Sequence, residues 1–434
     1  MRYRAIIFRV CVRAFFLLAA VFLLWIAASS NSFAQPQPGD VFREFTFNYG
    51  KSKATHFAEL DPNCPRKSQP DFAMAKMAHM APRPITLDLD KAVRAELSVE
   101  YWGGHIGTSN QKFRVNDHEW IDLPQPEGTP SDPRCYHRTL LGNNAAPIPL
   151  AHLRQGANVV RFTAGPQIKY SFNWGFYWIY DFTIRVYYDP SRPHPTGRIS
   201  SPQPDATIGD KPVIAAEASS PNGPVKRVDF IGLCDDFDWG GSGRFGQWQY
   251  QTEHGVMTHH IGVATSAPFQ VVWQNERVPE QSQPIQIAAK ITDASGMSCV
   301  TPAVGNLRLR REGRSVRMYR PSDVPEKFAA RAGGKASCKI VVNDDLANAR
   351  AARMVLSTWS ASTDDDSVHE LRLNGQRLAN RFGAFHNYSF DALEVPLTLL
   401  RKGENDVTIF SEFDGHALEI NWPGPVLLVE FGEK

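Results

Sequence analysis

Apolar and polar residues alternate along much of this chain with a period of two, the pattern that puts successive side chains on opposite faces of an extended strand. Residues 44–49, 85–89, 95–102, 112–115, 158–163 and 182–188 are such stretches, rich in Val, Phe and Tyr and broken by Gly, Pro and Asn. They predict β-strands joined by turns. Only residues 72–80 have the spacing of a short helix, so the chain reads as all-β.

The pattern breaks twice. Residues 189–195 read Asp-Pro-Ser-Arg-Pro-His-Pro, a stiff linker, because proline fixes the backbone and removes donors. A charged run at 308–317 followed by prolines at 321 and 325 is the second break. The expected blocks are 35–190, 197–311 and 321–434. The outer two share an internal repeat. Phe113-Arg114-Val115-Asn116-Asp117 matches Leu371-Arg372-Leu373-Asn374-Gly375, and 148–158 matches 395–405. Residues 97–102 echo 356–359, and Asn173-Trp174 echoes Asn421-Trp422. Four matches in one order predict two copies of one β-sandwich.

The repeated unit resembles the galactose-binding-like jelly-roll superfamily, through the strand at 371–378 and the Lys402-Gly403-Glu404-Asn405 turn before an apolar strand. The middle block resembles bacterial immunoglobulin-like modules, through 225–230, 267–273 and the Asp293-x-x-Gly296 turn. The resemblance implies two jelly rolls flanking an immunoglobulin-like sandwich, of the kind found in secreted polysaccharide-active proteins. It implies a fold, not a ligand. Residues 234–263 are an insertion where that family has a short turn.

Residues 1–34 read as a signal peptide. Arg2, Arg4, Arg9 and Arg13 precede an uncharged apolar run of 15 residues, 14–28, and Ser32-Phe33-Ala34 is a small-x-small cleavage site before Gln35. The run is short of the roughly 20 residues that span a bilayer. The expectation is a secreted or periplasmic protein with no membrane insertion after cleavage. Losing four arginines changes Lys plus Arg from 47 to 43 against 45 Asp plus Glu, a net charge near −2, which argues against a nucleic-acid partner. Five cysteines remain beyond Cys11, and an exported chain can oxidise them. Cys64 with Cys135 is the first expected pair and Cys234 with Cys299 the second, leaving Cys338 over.

The insertion carries the most unusual chemistry. Asp235, Asp236 and Asp238 beside a glycine-rich bend suit Ca²⁺, which takes oxygen ligands, although the order is not that of an EF-hand. His254, His259 and His260 with one Asp are an alternative transition-metal set, weakened because adjacent His259 and His260 point to opposite faces of a strand. Sugar rings stack on aromatic faces, so Trp239, Trp248 and Tyr250 of the insertion are candidate ligand-binding residues. So are Trp102, His105 and Trp174 of the first block, with Trp178 close by, and Trp359, His386, Tyr388 and Trp422 of the third. The alternative for each is a core or inter-domain filler, and Trp273 reads as core. No nucleophile elbow, His-Glu-x-x-His or phosphate loop is present.

These readings converge on a non-catalytic carbohydrate-binding or glycan-associated protein. A polysaccharide-degrading enzyme with a site at the domain junction near the insertion stays open, as does a structural or surface-assembly protein.

Overall fold

The computed structural model describes residues 35–48, 82–103, 108, 110–129, 140–141, 143–163, 177–361, 369–385 and 387–432. The segment 1–34, the expected helix at 72–80, the Cys64–Cys135 pair, His105, Trp174 and His386 lie outside the described residues. Among the described residues no helix is long and apolar enough to cross a membrane.

The chain is all-β. The first sandwich comprises β1 (Val41–Asn48), β2 (Arg83–Leu87), β3 (Ala92–Trp102), β4 (Lys112–Val115), β5 (Ile121–Asp122), β6 (Leu140–Leu141), β7 (Ala145–Ile148), β8 (Gly156–Thr163) and β9 (Trp178–Tyr188). The middle block comprises β10 (Thr196–Ser201), β11 (Thr207–Ile208), β12 (Val213–Ser219), β13 (Val225–Asp235), β14 (Gly246–Gln249), β15 (Gln251–Glu253), β16 (Val256–Thr258), β17 (Gly262–Ala264), β18 (Phe269–Val272), β19 (Ile285–Asp293), β20 (Met297–Val300) and β21 (Val304–Leu309). The last sandwich comprises β22 (Arg314–Tyr319), β23 (Ala329–Ala330), β24 (Gly334–Val342), β25 (Ala349–Trp359), β26 (His369–Leu373), β27 (Gln376–Ala379), β28 (Tyr388–Glu394), β29 (Gly403–Ser411), β30 (Leu418–Ile420) and β31 (Val426–Gly432).

The repeat seen in the sequence is a repeat of topology. One sheet of the first sandwich runs β2-β8-β4-β5, and its counterpart runs β24-β29-β26-β27. The facing sheets run β1-β9-β3 and β22-β31-β25. Strand β8 alternates buried and partly exposed positions, as β29 does, because each has one face on a core.

Each copy is closed by the same hydrogen-bond knot. Asn158 Oδ1 accepts from Arg154 N at 2.9 Å and from Asn116 Nδ2 at 3.1 Å, while its Nδ2 donates to Arg154 O and Gly156 O. Asn405 makes the same four bonds with Arg401, Asn374 and Gly403. Asn116 and Asn374 take left-handed φ values of 56° and 52°, a conformation asparagine tolerates better than most residues. Asn405→Ala strands four groups inside the protein and is expected to cost about 2 kcal/mol, with Asn158→Ala costing a similar amount. Urea unfolding of the two variants checks this, and a loss below about 0.5 kcal/mol would show the knot to be dispensable.

The middle block does not stand apart from the first. Strand β20 pairs with β1 in the register Val41↔Cys299 and Phe42↔Ser298. One 12-stranded sheet therefore runs through both blocks, across the proline-rich linker. Lys290 of β19 and Arg185 of β9 both pair with Glu44 on β1. Burial opposes ionisation of Glu44, yet the two cations win and lower its pKa to about 2.

The expected Cys234–Cys299 bridge is not formed. Cys234, Cys299 and Cys338 are buried free thiols. Strand β19 lies between the two strands concerned, and pairs Gln286 with Leu233 but Ile291 with Cys299. The cysteines thus sit about six positions apart along β19, roughly 20 Å at strand rise, against the ~7 Å limit for a disulfide.

Candidate functional site

The insertion folds back on the strand that precedes it. Strand β14 pairs with the end of β13, and β17 pairs with its middle, flanking the β15–β16 hairpin. Between these strands lies a cavity of about 270 Å³ lined by Asp236, Trp239, Gln249, His259, Trp273 and Gln274, among others. Trp239 and His259 form one wall, their rings stacked at 4.0 Å and 3°. His259 holds a left-handed φ of 53° there. Desolvation, and then the charge of His260, lower its pKa to about 4, so it is a neutral ring at pH 7. Asp236 accepts from Phe237 N at 2.8 Å and from Trp239 Nε1 at 3.4 Å. Burial nevertheless raises its pKa to about 6. The wall combines aromatic faces with a carboxyl and two primary amides.

The three aspartates of the insertion face different partners. Asp238 is buried and binds its own loop, accepting from Ser242 N, Gly243 N and Gln247 Nε2 at 3.1, 2.6 and 3.0 Å. Asp235 accepts from Ser282 Oγ at 3.4 Å, and its backbone is clamped by Gln281. Only Asp236 reaches the cavity. The histidines are also divided: His260 pairs with Asp229 at 3.1 Å, His259 stacks on Trp239, and His254 donates its backbone N–H to Glu100 at 2.7 Å.

The aromatic candidates divide in the same way. Trp248 and Tyr250 pack in a core with Phe42 and Tyr187. Trp102 and Trp359, the last residues of β3 and β25, stack on each other at 5.1 Å, with Tyr180 and Tyr388 beside them. Trp422 is partly buried, and its ring lies beside Gly128, where a methyl group added in place of the glycine hydrogen would meet it at 3.7 Å. Trp178 opens β9 opposite Trp102. Trp239 faces the cavity while its ring is tilted against Phe390 of the last sandwich, the two centroids 5.7 Å apart.

A second cluster lies where the insertion meets both sandwiches. On β3, Leu97, Val99 and Tyr101 fill the sandwich core, and Glu96, Ser98, Glu100 and Trp102 project from the other face, yet all are buried. Glu100 pairs directly with Asp181 of β9. The tyrosine hydroxyl of Tyr388 donates to Glu100, and His254 completes a group whose ligand-type atoms lie within 4.8 Å of one another. Burial and the neighbouring Asp181 raise the Glu100 pKa, and burial raises that of Asp181 to about 6. Two carboxyls so placed share a proton, because both cannot ionise in a dry site. Glu100 and Asp181 escape a reading of alternation, which assigns the polar face of a strand to water. The available signal is the flanking Tyr101-Trp102 and Tyr180 with Phe182, aromatics on either side of a lone acid.

No family model matches the chain, and no curated protein matches it. Solved structures do. A β-porphyranase of glycoside hydrolase family 86 from the human gut bacterium Bacteroides plebeius is 14% identical over 54% of this chain and 38% of its own, with a TM-score of 0.21. A β-glucuronidase from Ruminococcus gnavus in complex with D-glucuronic acid is 11% identical over 67% of this chain and 49% of its own, with a TM-score of 0.20. A DUF4785 family protein from Legionella pneumophila is 9% identical over 81% of this chain and 79% of its own, with a TM-score of 0.22. The chain spans less than half the length of the two hydrolases.

Proposed function

We propose that this is an exported, non-catalytic glycan-binding protein whose site is the insertion cavity. The observation that carries the reading is the wall itself. The Trp239–His259 stack and Trp273 offer apolar ring surface, and Asp236, Gln249 and Gln274 offer planar donors and acceptors at its margin. A sugar ring needs both, an apolar face for its C–H groups and polar groups for its hydroxyls. The volume of about 270 Å³ lies at the lower end for ligand pockets and suits a single sugar unit of a longer glycan. Cofactor chemistry is not required, and Asp236 is the one aspartate of the trio placed to meet a hydroxyl.

A hydrolytic reading would turn to Glu100 and Asp181. The two carboxyls are hydrogen-bonded to each other and both side chains are buried. Glycosidase carboxyls stand farther apart, about 5–5.5 Å or 6.5–9.5 Å, with the scissile bond between them. The pair therefore favours a packing role over a catalytic one.

A glycan array with reducing-sugar release on the same panel tests the proposal. Binding without sugar release is the expected result. Gln274 is exposed, so Gln274→Ala should weaken binding by roughly tenfold, the value of about one hydrogen bond, and leave the melting temperature unchanged. His259→Ala should weaken it further by removing half of the stacked wall. Sugar release, or binding indifferent to both substitutions, would overturn the reading.

A further inference from the structure

The asparagine knot of each sandwich brings two loop segments together, and in the first sandwich they carry more than the fold requires. Asn116 donates to His152 O at 2.7 Å, as Asn374 donates to Leu399 O at 2.8 Å. His152 thus occupies the place of Leu399. The same alignment places His118 and Glu119 at the positions of Gln376 and Arg377. In the last sandwich, Leu399 simply packs against the core. A glutamine, an arginine and a leucine satisfy this scaffold, so the two imidazoles and the carboxylate answer to something else.

The three side chains lie together. The His118 and His152 rings are parallel, 2° apart with centroids at 4.2 Å. His152 Nε2 lies 3.2 Å from Glu119 Oε2, and one donor atom of each residue falls within 4.8 Å of the other two. A tetrahedral ion bound at about 2.0–2.1 Å holds its donors about 3.3 Å apart and lies in the plane of each imidazole, so the two rings close the set by turning out of their stack. The knot fixes the backbone at Asn116 and His152 without using either imidazole. The Glu119 side chain is 84% exposed, which leaves the remaining coordination position open to solvent.

We propose that His118, Glu119 and His152 bind one divalent transition-metal ion of the zinc class. Two nitrogens and one carboxylate suit Zn²⁺, Co²⁺ or Ni²⁺, whereas Ca²⁺ and Mg²⁺ ask for oxygen alone. Three protein ligands leave a position for water or for an oxygen of a bound partner. The first sandwich carries this site and the last does not.

The test is calorimetric titration of the tag-free full chain with Zn²⁺ after chelator treatment. One equivalent is expected to bind at micromolar concentration or below, with Ca²⁺ and Mg²⁺ inert. His118→Gln and His152→Leu install what the last sandwich already carries, and each should weaken Zn²⁺ binding by at least roughly tenfold with an unchanged melting curve of the metal-free protein. Glu119→Gln, at an exposed side chain, gives the same readout without touching the interior. Absence of Zn²⁺ binding overturns the proposal. So does binding that survives His118→Gln/His152→Leu or Glu119→Gln, since the ion would then sit elsewhere, as at Glu100, Asp181 and His254.

Discussion

Trp359→Ala is expected to lower the unfolding free energy by about 3–5 kcal/mol, the usual cost of emptying a large aromatic site in a core. Trp102 and Trp359 are 1% and 2% exposed and end equivalent strands of the two copies. The repeat therefore meets itself through one residue type, and the stack at 5.1 Å and 27° is the centre of that contact. Tyr180 and Tyr388 cross edge-to-face beside it at 4.7 Å. Truncating either tryptophan leaves the other without its partner, so the two losses should not add. The double variant is expected to fall short of the sum by about 1 kcal/mol, the worth of an aromatic pair beyond its area. Guanidinium unfolding of the two single variants and the double variant measures both quantities. A single-variant loss below about 1 kcal/mol would mean that the sandwiches hold together through other contacts.

Strands and repeat were legible because they depend on local signals. Residues 112–115 form β4, and the strand expected at 182–188 is the C-terminal part of β9. The matched segments at 113–117 and 371–375 place Asn116 and Asn374 in identical knots, because a left-handed turn followed by a strand has few sequence solutions. What the pattern missed is pairing at a distance. Nothing in 41–48 says that this strand has neighbours on both edges, β9 and β20, and a linker of prolines reads as a boundary. Glu100 and Asp181 were missed for the reason that makes them unusual: an acid on the polar face of a strand reads as solvated until a second layer covers that face. The insertion supplied part of this layer, through His254, and Tyr388 supplied the rest. The pair His118 and His152 was readable in principle, since aligning the copies sets both against residues of other chemistry.

Stability is expected to rise as the pH falls from about 7.5 to about 5, by about 1–1.5 kcal/mol from Asp181, with Glu100 adding in the same direction. Asp181 is buried and its pKa is raised from 3.8 to about 6, and Glu100 is shifted in the same direction. Below the unfolded carboxyl value near 4 both states carry the proton, and the full stabilisation is present. Between there and about 6 the native state holds a proton that the unfolded chain has released, so each step up in pH favours unfolding. Above the folded value the pair must ionise in place, and its contribution is gone. Glu44 acts in the opposite sense, since its pKa is lowered to about 2 by Lys290 and Arg185. Its contribution is present above the unfolded value of about 4.5 and is lost as the pH falls towards about 2. The two trends bound a maximum near pH 4. Glu100→Gln separates them, because a glutamine amide can donate to Asp181 without a titrating proton and its oxygen still accepts from Tyr388. That variant should be more stable than the wild type at pH 7.5 and should lose the Glu100 share of the dependence between pH 5 and 7.5, keeping the part set by the burial of Asp181, while the acid limb set by Glu44 stays. Melting temperatures across that range read the result. A slope in Glu100→Gln as steep as that of the wild type would remove the shared proton as its cause.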